Sequence, residues 1–315
     1  MSNAATFIIA AWNAEDLLGR SVDSALQQQG VDTQVIVAND ASTDGTSAVA
    51  RSLTGVQLVD LPINSGPAAA RNFALDHVST PWSLVLDADD TLDSNHAANL
   101  IDLATRTDAD IVLSNFRRVD LDGAAVGEAA HLDPAWIDPE RPLEFDRYLA
   151  GNLIEKRSGN WGYLKPLFRT ETLARLNLSY NEALRNSEDT NLILEAILRG
   201  ARVVVSPDPT YRYTVRSGSI SHRITFSHIE ALLAEEQKLR TRWASDLSET
   251  AIELFEKRWL RLTDMLEAER VIRNIKDRSI AEAARGILVR PRTAGRIAAQ
   301  ISEGMARRLG KLLAR

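Results

Sequence analysis

The 315-residue sequence contains no cysteine, which excludes disulfides, thiolate catalysis and cysteine-ligated zinc. That composition fits a cytoplasmic address. No apolar run approaches the ~18 residues needed to span a bilayer. The opening Met1-Ser2-Asn3-Ala4 reads as an expression remnant rather than the start of a signal peptide. No Gly-x-Gly-x-x-Gly follows the first apolar run, and no Gly-Lys-Ser/Thr phosphate loop occurs, so nothing points to a dinucleotide dehydrogenase or a P-loop enzyme. Internal repeats and low-complexity tracts are also missing.

What is present is the ordinary composition of a globular protein, 44% hydrophobic and 25% charged. The length exceeds what one hydrophobic core usually supports, which predicts one large domain with an appendage, or two domains. The formal net charge of −6 hides an asymmetry. Residues 285–315 hold eight Arg or Lys against the single acid Glu303, a balance of +7, so the rest carries −13. An acidic body repels nucleic acid, whereas a basic end attracts something anionic.

Short β-rich runs alternate with segments of helical spacing. The expected strands are Thr6–Ala11, Gln34–Ala38, Val56–Leu61, Trp82–Leu86 and Ile111–Asn115. The expected helices are Ala14–Gln28, Thr46 to about Leu53, Pro67–Val78 and Ala97–Arg106. This alternation predicts an α/β fold with a mostly parallel sheet and helices on both faces. Residues 120–141 read as an extended connection, Trp161–Phe168 as sheet, Glu188–Arg199 as helix and Arg202–Ser206 as strand. From Phe226 onward the pattern is helical, broken at Pro291.

In parallel sheets ligands bind beyond the carboxyl ends of the strands, and the acidic clusters stand there. Asp40 follows the second strand, and Asp87-Ala88-Asp89-Asp90 follows the fourth. Two carboxylates at a strand tip suit Mg²⁺ or Mn²⁺, hard cations that bridge phosphates. The same pattern also suits a solvated turn in which Asp90 or Asp93 caps the next helix.

Five segments in order resemble family-2 glycosyltransferases, enzymes of the GT-A fold. They are Ile8–Glu15, Val35–Thr46, Asn64-Ser65-Gly66-Pro67 with Ala70-Arg71-Asn72, Leu86–Asp90, and Asn186-Ser187-Glu188-Asp189. Departures are Trp12 for the commoner Tyr, Asn39 for the first Asp of a pair, and Ala41 for Gly. The resemblance implies an inverting, metal-dependent transfer of a sugar from a nucleotide diphosphate, UDP by family habit, to a glycan or lipid-linked acceptor of a bacterial cell surface. It implies Asp189 as general base with Glu188 orienting it or the acceptor, and the two roles can be exchanged. Asp89 would be the direct metal ligand, with Asp87 touching metal or ribose. Asn13 and Asp40 would line the nucleotide pocket.

Several residues keep two readings. Arg71 either donates to a diphosphate or pairs with a surface carboxylate. Trp161 either stacks an acceptor sugar or packs in the core, and Lys165 reads as structural. The stretch Tyr211–His222 resembles the family's closing loop. There His222 would be a third metal ligand, or would join Arg216 in neutralising the diphosphate. Two rival functions remain: a non-catalytic nucleotide-binding module of the same fold, and a haloacid-dehalogenase-type phosphatase using Asp87 of Asp-x-Asp-x-Thr as nucleophile. The latter normally carries that motif on its first strand.

The expected organisation is a GT-A domain over residues 5–225, with a nucleotide half (5–115) and an acceptor half (116–225). A helical extension would occupy 226–315. Within Ala294–Arg315, Ile297, Ile301, Met305, Leu309 and Leu312 recur at helical spacing beside Arg296, Arg307, Arg308, Lys311 and Arg315. This basic amphipathic pattern suits peripheral contact with the inner face of an anionic membrane, and equally a helix packed on the body or in an oligomer.

Overall fold

The computed structural model describes residues 3–153, 159–216, 225–295 and 297–298. The chain divides into two compact units, Met1–His222 and Arg223–Arg315.

The first unit is built on one eight-stranded sheet. In chain order its elements are β1 (Ala4–Ala11), α1 (Leu18–Leu26), β2 (Asp32–Asn39), α2 (Thr46–Ser52), β3 (Val56–Asp60), α3 (Pro67–Leu75), β4 (Trp82–Val85), β5 (Thr91–Leu92) and α4 (His96–Thr107). There follow β6 (Ile111–Val119), α5 (Phe145–Gly151), β7 (Lys165–Arg169), α6 (Thr170–Arg175), α7 (Glu188–Leu198) and β8 (Val203–Thr214). The strand order is β3-β2-β1-β4-β7-β6-β8-β5. Strands β1 to β4 are mutually parallel, whereas β7 runs antiparallel to both β4 and β6. Central β1 and β4 are apolar at nearly every position because helices cover both faces of a parallel sheet.

The chain moves outward from β1 to β2 and β3, then returns to place β4 on the other side of β1. Strand order therefore reverses between β1 and β4, the place where a crevice opens beyond the strand ends. Trp12 and Asn13 lie on one side of that point and Asp87 to Asp89 on the other.

Several elements differ from expectation. Trp161–Tyr163 is a short 3-10 turn, with the strand beginning only at Lys165. Strand β8 continues through Pro207 and Pro209 to Thr214, and pairs with β6 across a register shift between Ser114 and Phe116. Such a bulge accommodates residues that lack an N–H. Helix α1 starts at Leu18, four residues later than the spacing suggested. Residues 120–141 are largely irregular, with a short turn at Pro134–Trp136.

The second unit holds α8 (Phe226–Arg242), α9 (Glu249–Lys276) and α10 (Ile280–Val289). Arg258 Nε on α9 donates to Glu236 Oε2 on α8 at 2.7 Å, and both side chains are buried. Ala268, Val271, Ala283 and Ile297 form a small core that joins α9, α10 and the segment after it. Among the described residues no helix is long and apolar enough to cross a membrane. Most of the Ala294–Arg315 pattern, from residue 299 on together with Arg296, lies outside the described residues.

Candidate active site

The site grows from two loops and two helix starts. Asp40, at the end of β2, is buried, and its carboxylate collects the turn that leads into α3. Oδ1 accepts from Ser65 N at 2.7 Å, and Oδ2 accepts from Gly66 N at 2.8 Å and Asn64 Nδ2 at 2.9 Å. Gly66 sits at φ 93°, a conformation that suits glycine, and Pro67 supplies the first helical residue. Asp40 thus fixes where α3 begins. A carboxylate offers about four lone-pair sites, so one stays available to a ligand.

Helix α3 carries Arg71, whose side chain is 5% exposed. It neither points to solvent nor pairs at the surface. Its Nη2 donates to Asp87 Oδ1 at 3.0 Å and its Nη1 to Glu188 Oε1 at 2.7 Å, with Asp189 Oδ1 at 3.5 Å. Lys165, at the start of β7, is also buried, with Nζ 2.6 Å from Asp87 Oδ2 and 4.0 Å from Asp189 Oδ2. Two cations and three carboxylates from four parts of the fold, α3, the tip of β4, β7 and α7, thus form one connected cluster. Burial opposes the ionisation of Asp87, but Lys165 and Arg71 outweigh it and hold its carboxyl well below the usual range. Burial likewise opposes the Lys165 charge, and Asp87 and Asp189 more than restore it. Glu188 goes the other way: burial, helped by neighbouring Asp189, raises it despite Arg71.

Glu188 and Asp189 form the first turn of α7, where the helix dipole favours negative charge. The preceding Ser187 holds a left-handed φ of 63°. Such strain is expected where surroundings dictate the direction of the next residues. Both acids are buried, which sets them apart from ordinary solvated first-turn charges.

At the tip of β4 the acids divide their work. Asp89 is partly exposed, and its Oδ2 accepts from Arg216 Nε at 2.7 Å. Asp90 is buried and accepts from Tyr211 Oη and from Thr214 N, each at 2.7 Å. Its backbone carbonyl takes the Ser21 hydroxyl. Burial, with Asp89 and Asp87 nearby, pushes the Asp90 carboxyl well up. Neither Asp90 nor Asp93 caps α4; Asp90 clamps the acidic turn to β8, and Asp93 bridges Arg117 and Arg212. Ser217–His222, and with it His222, lies outside the described residues.

Asn13 adopts φ 49° at the end of β1 and ties that loop to the one after β2, its Oδ1 accepting from Thr43 N at 2.8 Å. The departures at 39 and 41 have local explanations. Asn39 Nδ2 donates to Asp60 Oδ1 at 2.8 Å, a bond that an aspartate would replace with carboxylate repulsion. Ala41 holds φ 51°, the left-handed region in which glycine is at ease. Trp161 is buried with Arg147 above its ring at 5.2 Å, so it packs rather than offering a face to solvent. Trp12 and Trp136 are the exposed tryptophans of this unit.

The sequence reading undervalued Lys165 and missed Tyr180. The latter lies buried under Arg71, whose guanidinium is 5.3 Å from its ring, and burial, with Asp189 nearby, pushes its phenol well up. No local spacing announces either residue. An ionisable residue flanked by apolar ones, as in Leu164-Lys165-Pro166-Leu167, was the available signal for Lys165.

A divalent cation fits this donor set in one manner. Among the described residues no group of three His, Cys, Asp or Glu could hold a metal. Both Asp87 oxygens are engaged by cations. Magnesium-like ions, however, are commonly held by one or two carboxylates together with substrate phosphates. The partly exposed Asp89 suits that arrangement, and a cage made of protein alone does not.

Comparison with known proteins bears on the family and the fold. The family model for glycosyl transferase family 2 matches residues 6–170. A succinoglycan biosynthesis protein of Rhizobium meliloti (strain 1021), ExoO, is 32% identical over 288 residues, covering 91% of this chain and 81% of the relative. A second from the same organism, ExoU, is 36% identical over 222 residues, covering 68% of this chain and 63% of the relative. The crystal structure of S. aureus TarS 1-349 in complex with UDP-GlcNAc superposes with a TM-score of 0.64 at 17% identity, covering 90% of this chain and 89% of that one.

Proposed function

The chain belongs to glycosyl transferase family 2, and from that premise we propose that it transfers a sugar, with inversion, from a UDP-sugar to a hydroxyl of a glycan or lipid-linked acceptor in bacterial surface-polysaccharide assembly. A GT-A-like fold and a nucleotide-sugar donor follow from the family; the donor nucleotide, acceptor class, metal requirement and residue roles are the proposal. The succinoglycan relatives support the acceptor class, and the UDP-sugar in the TarS structure supports the nucleotide. Residues 5–115 are assigned to the nucleotide, 116–225 to the acceptor and 226–315 to a helical extension.

One observation carries the reading. Asp87, at the switch point, is wired through Arg71 and Lys165 to Glu188 and Asp189. Donor-side and acceptor-side acids are thereby held in fixed relation, as a single in-line displacement requires. Asp189 accepts the proton of the attacking hydroxyl, and Glu188 orients it. Because Arg71 is spent on carboxylates, its role here is to keep Asp189 and Asp87 in register. Arg216 lies beside Asp89 and is placed to meet the departing diphosphate, while Asn13 and Asp40 shape the nucleotide end of the crevice. A Mg²⁺ or Mn²⁺ ion held by Asp89 and the diphosphate would stabilise the charge developing on the leaving group. Cytoplasmic work at the inner membrane face completes the proposal.

Membership of the family removes the phosphatase alternative. The non-catalytic alternative is tested by calorimetric titration of UDP and GDP with and without Mn²⁺, together with a screen of UDP- and GDP-sugars for slow hydrolysis. Binding of UDP strengthened by Mn²⁺, with turnover of at least one UDP-sugar, is expected. Nucleotide binding without turnover of any donor would leave the binding module in its place.

A further inference from the structure

Trp161 is packed away, but the same 3-10 turn ends on Tyr163, which is 39% exposed. The turn is built against the helix that carries Asp189. Gly162 N donates to Asn152 Oδ1 at 2.6 Å and to Asn160 Oδ1 at 2.8 Å. A Cβ on Gly162 would overlap the hydroxyl of Thr190, the residue after Asp189. Two residues beyond Tyr163, Lys165 approaches Asp189 at 4.0 Å. Tyr163 is therefore an aromatic side chain left open beside the acid assigned as general base.

A cation without an acid stands next to it. Strands β6 and β8 pair Phe116 with Tyr211 and Arg118 with Tyr213, so these side chains share one face of the sheet. From that face the Tyr211 hydroxyl accepts from Asp87 N at 3.1 Å, which puts Arg118 and Tyr213 on the side of the acidic turn. Arg117 and Arg212, on the other face, pair with Asp93, whereas among the described residues Arg118 has no carboxylate partner. Neutral groups hold its guanidinium instead. Nη2 donates to His131 Nδ1 at 3.2 Å, and the charge lies 5.7 Å from the centre of the Phe116 ring. His131 Nε2 donates to Asn160 O at 2.8 Å, and its ring stacks on Phe116 at 4.2 Å and meets Tyr163 edge to face at 6.0 Å. The tautomer is forced, because an arginine only donates and a carbonyl only accepts. His131 is thus a neutral scaffold that ties Arg118 to the Tyr163 turn. Partial burial and Tyr213 raise the Tyr163 phenol against the charges of Lys165 and Arg118, so all four groups surround one spot. A half-buried charge kept without a counter-charge breaks the ordinary rules of packing, as functional sites do.

We propose that Tyr163, Arg118 and Tyr213 form a subsite for the sugar ring of the acceptor, stacked on Tyr163 with its hydroxyls taking N–H groups of Arg118. A pyranose presents a face of C–H groups and a rim of hydroxyls, which an aromatic face beside a forked donor matches; a bare phosphate would use the charge and not the ring. The nucleotide end of the crevice is built on β1 and β2 through Asn13 and Asp40, whereas this subsite is built on β6, β8 and the turn before β7. That the bound sugar is the acceptor rests on the transferase reading.

The test is binding of methyl β-D-glucopyranoside, methyl β-D-galactopyranoside and methyl α-D-mannopyranoside to the full chain with UDP and Mn²⁺, followed by ligand-observed NMR. UDP affinity is measured in parallel by calorimetry. At least one pyranoside should bind with a dissociation constant of roughly millimolar order. Tyr163→Leu keeps apolar bulk and removes the ring, and should weaken that binding about tenfold or more, as should Arg118→Met. Tyr163→Phe should stay within about threefold of wild type, and UDP affinity within about twofold in all three variants. The proposal is overturned if no pyranoside binds, or if Tyr163→Leu binds sugar as wild type does. It is also overturned if Tyr163→Leu weakens UDP as much as it weakens the sugar, because the residue then acts on the nucleotide or on the fold. Sugar binding is read without turnover, so failure of every UDP-sugar to react would remove the transferase reading and leave the sugar subsite standing.

Discussion

Replacing Arg71 with methionine tests the charge cluster at its most connected point. The substitution keeps an unbranched side chain of similar length and removes the cation. Lys165 would still serve Asp87 at 2.6 Å and approach Asp189 at 4.0 Å, which leaves Glu188 without the partner it has at 2.7 Å. Removing one member of a buried pair typically costs 3–5 kcal/mol, so about 4 kcal/mol is expected for this one orphaned carboxylate. For a unit of this size, that corresponds to a fall of roughly 8–16 °C in its melting temperature. The loss should depend on pH, and the sign follows from Glu188. Its folded pKa is already raised above its ordinary 4.5, and loss of Arg71 raises it further. Below that ordinary value both folded and unfolded chains hold the proton, and no penalty arises. As pH rises, the unfolded chain releases its proton first and the variant weakens. Calorimetric melting of wild type and Arg71→Met at pH 5 and pH 8 should show a deficit that is larger at pH 8. A deficit that is the same at both, or a variant within 2 °C of wild type throughout, would refute the buried-cluster argument.

Three further outcomes follow. Asp89→Ala should abolish most of the Mn²⁺-dependent part of UDP affinity in calorimetric titration and leave melting nearly unchanged, because Asp89 is partly exposed; undiminished metal dependence would contradict its role as ligand. Ala41→Gly should gain about 0.5–1 kcal/mol in urea unfolding, since relief of a left-handed alanine outweighs the added unfolded-state entropy, and a loss of stability would count against strain at φ 51°. Burial lowers His96 to about 3 and His131 to about 4, so both are neutral when folded. The unfolded chain takes up these protons first as pH falls below 6.5, and stability should drop by several kcal/mol between pH 7 and 4. His131→Asn should make that pH dependence shallower, and an unchanged slope would contradict the assignment.

Much of the sheet of the first unit was legible in the sequence, because β1, β2 and β4 carry apolar runs that end in polar loops. The wiring among their loops was not. Arg71 and Glu188 are 117 residues apart, and only the insertion of antiparallel β7 beside β4 brings Lys165 to Asp87. Local spacing carries no information about such pairings. The strand expected over Arg202–Ser206 runs on as β8 to Thr214, because the bulge between Ser114 and Phe116 accommodates Pro207 and Pro209, which have no N–H to give to a ladder. Asn39 and Ala41 stood out as departures from the family pattern, but their reasons, the carboxylate of Asp60 and a positive φ, appear only in three dimensions. Trp161 had even claims to core and binding face until Arg147 was found above its ring.

The most direct test of the account is turnover of a UDP-sugar by wild type and Asp189→Asn under identical conditions with Mn²⁺, read as UDP release, alongside the UDP dissociation constant of each. Loss of a general base typically lowers turnover by about 10²–10⁴-fold. The account predicts that loss with UDP affinity preserved within about threefold. Asp189→Asn turning over at the wild-type rate would contradict it.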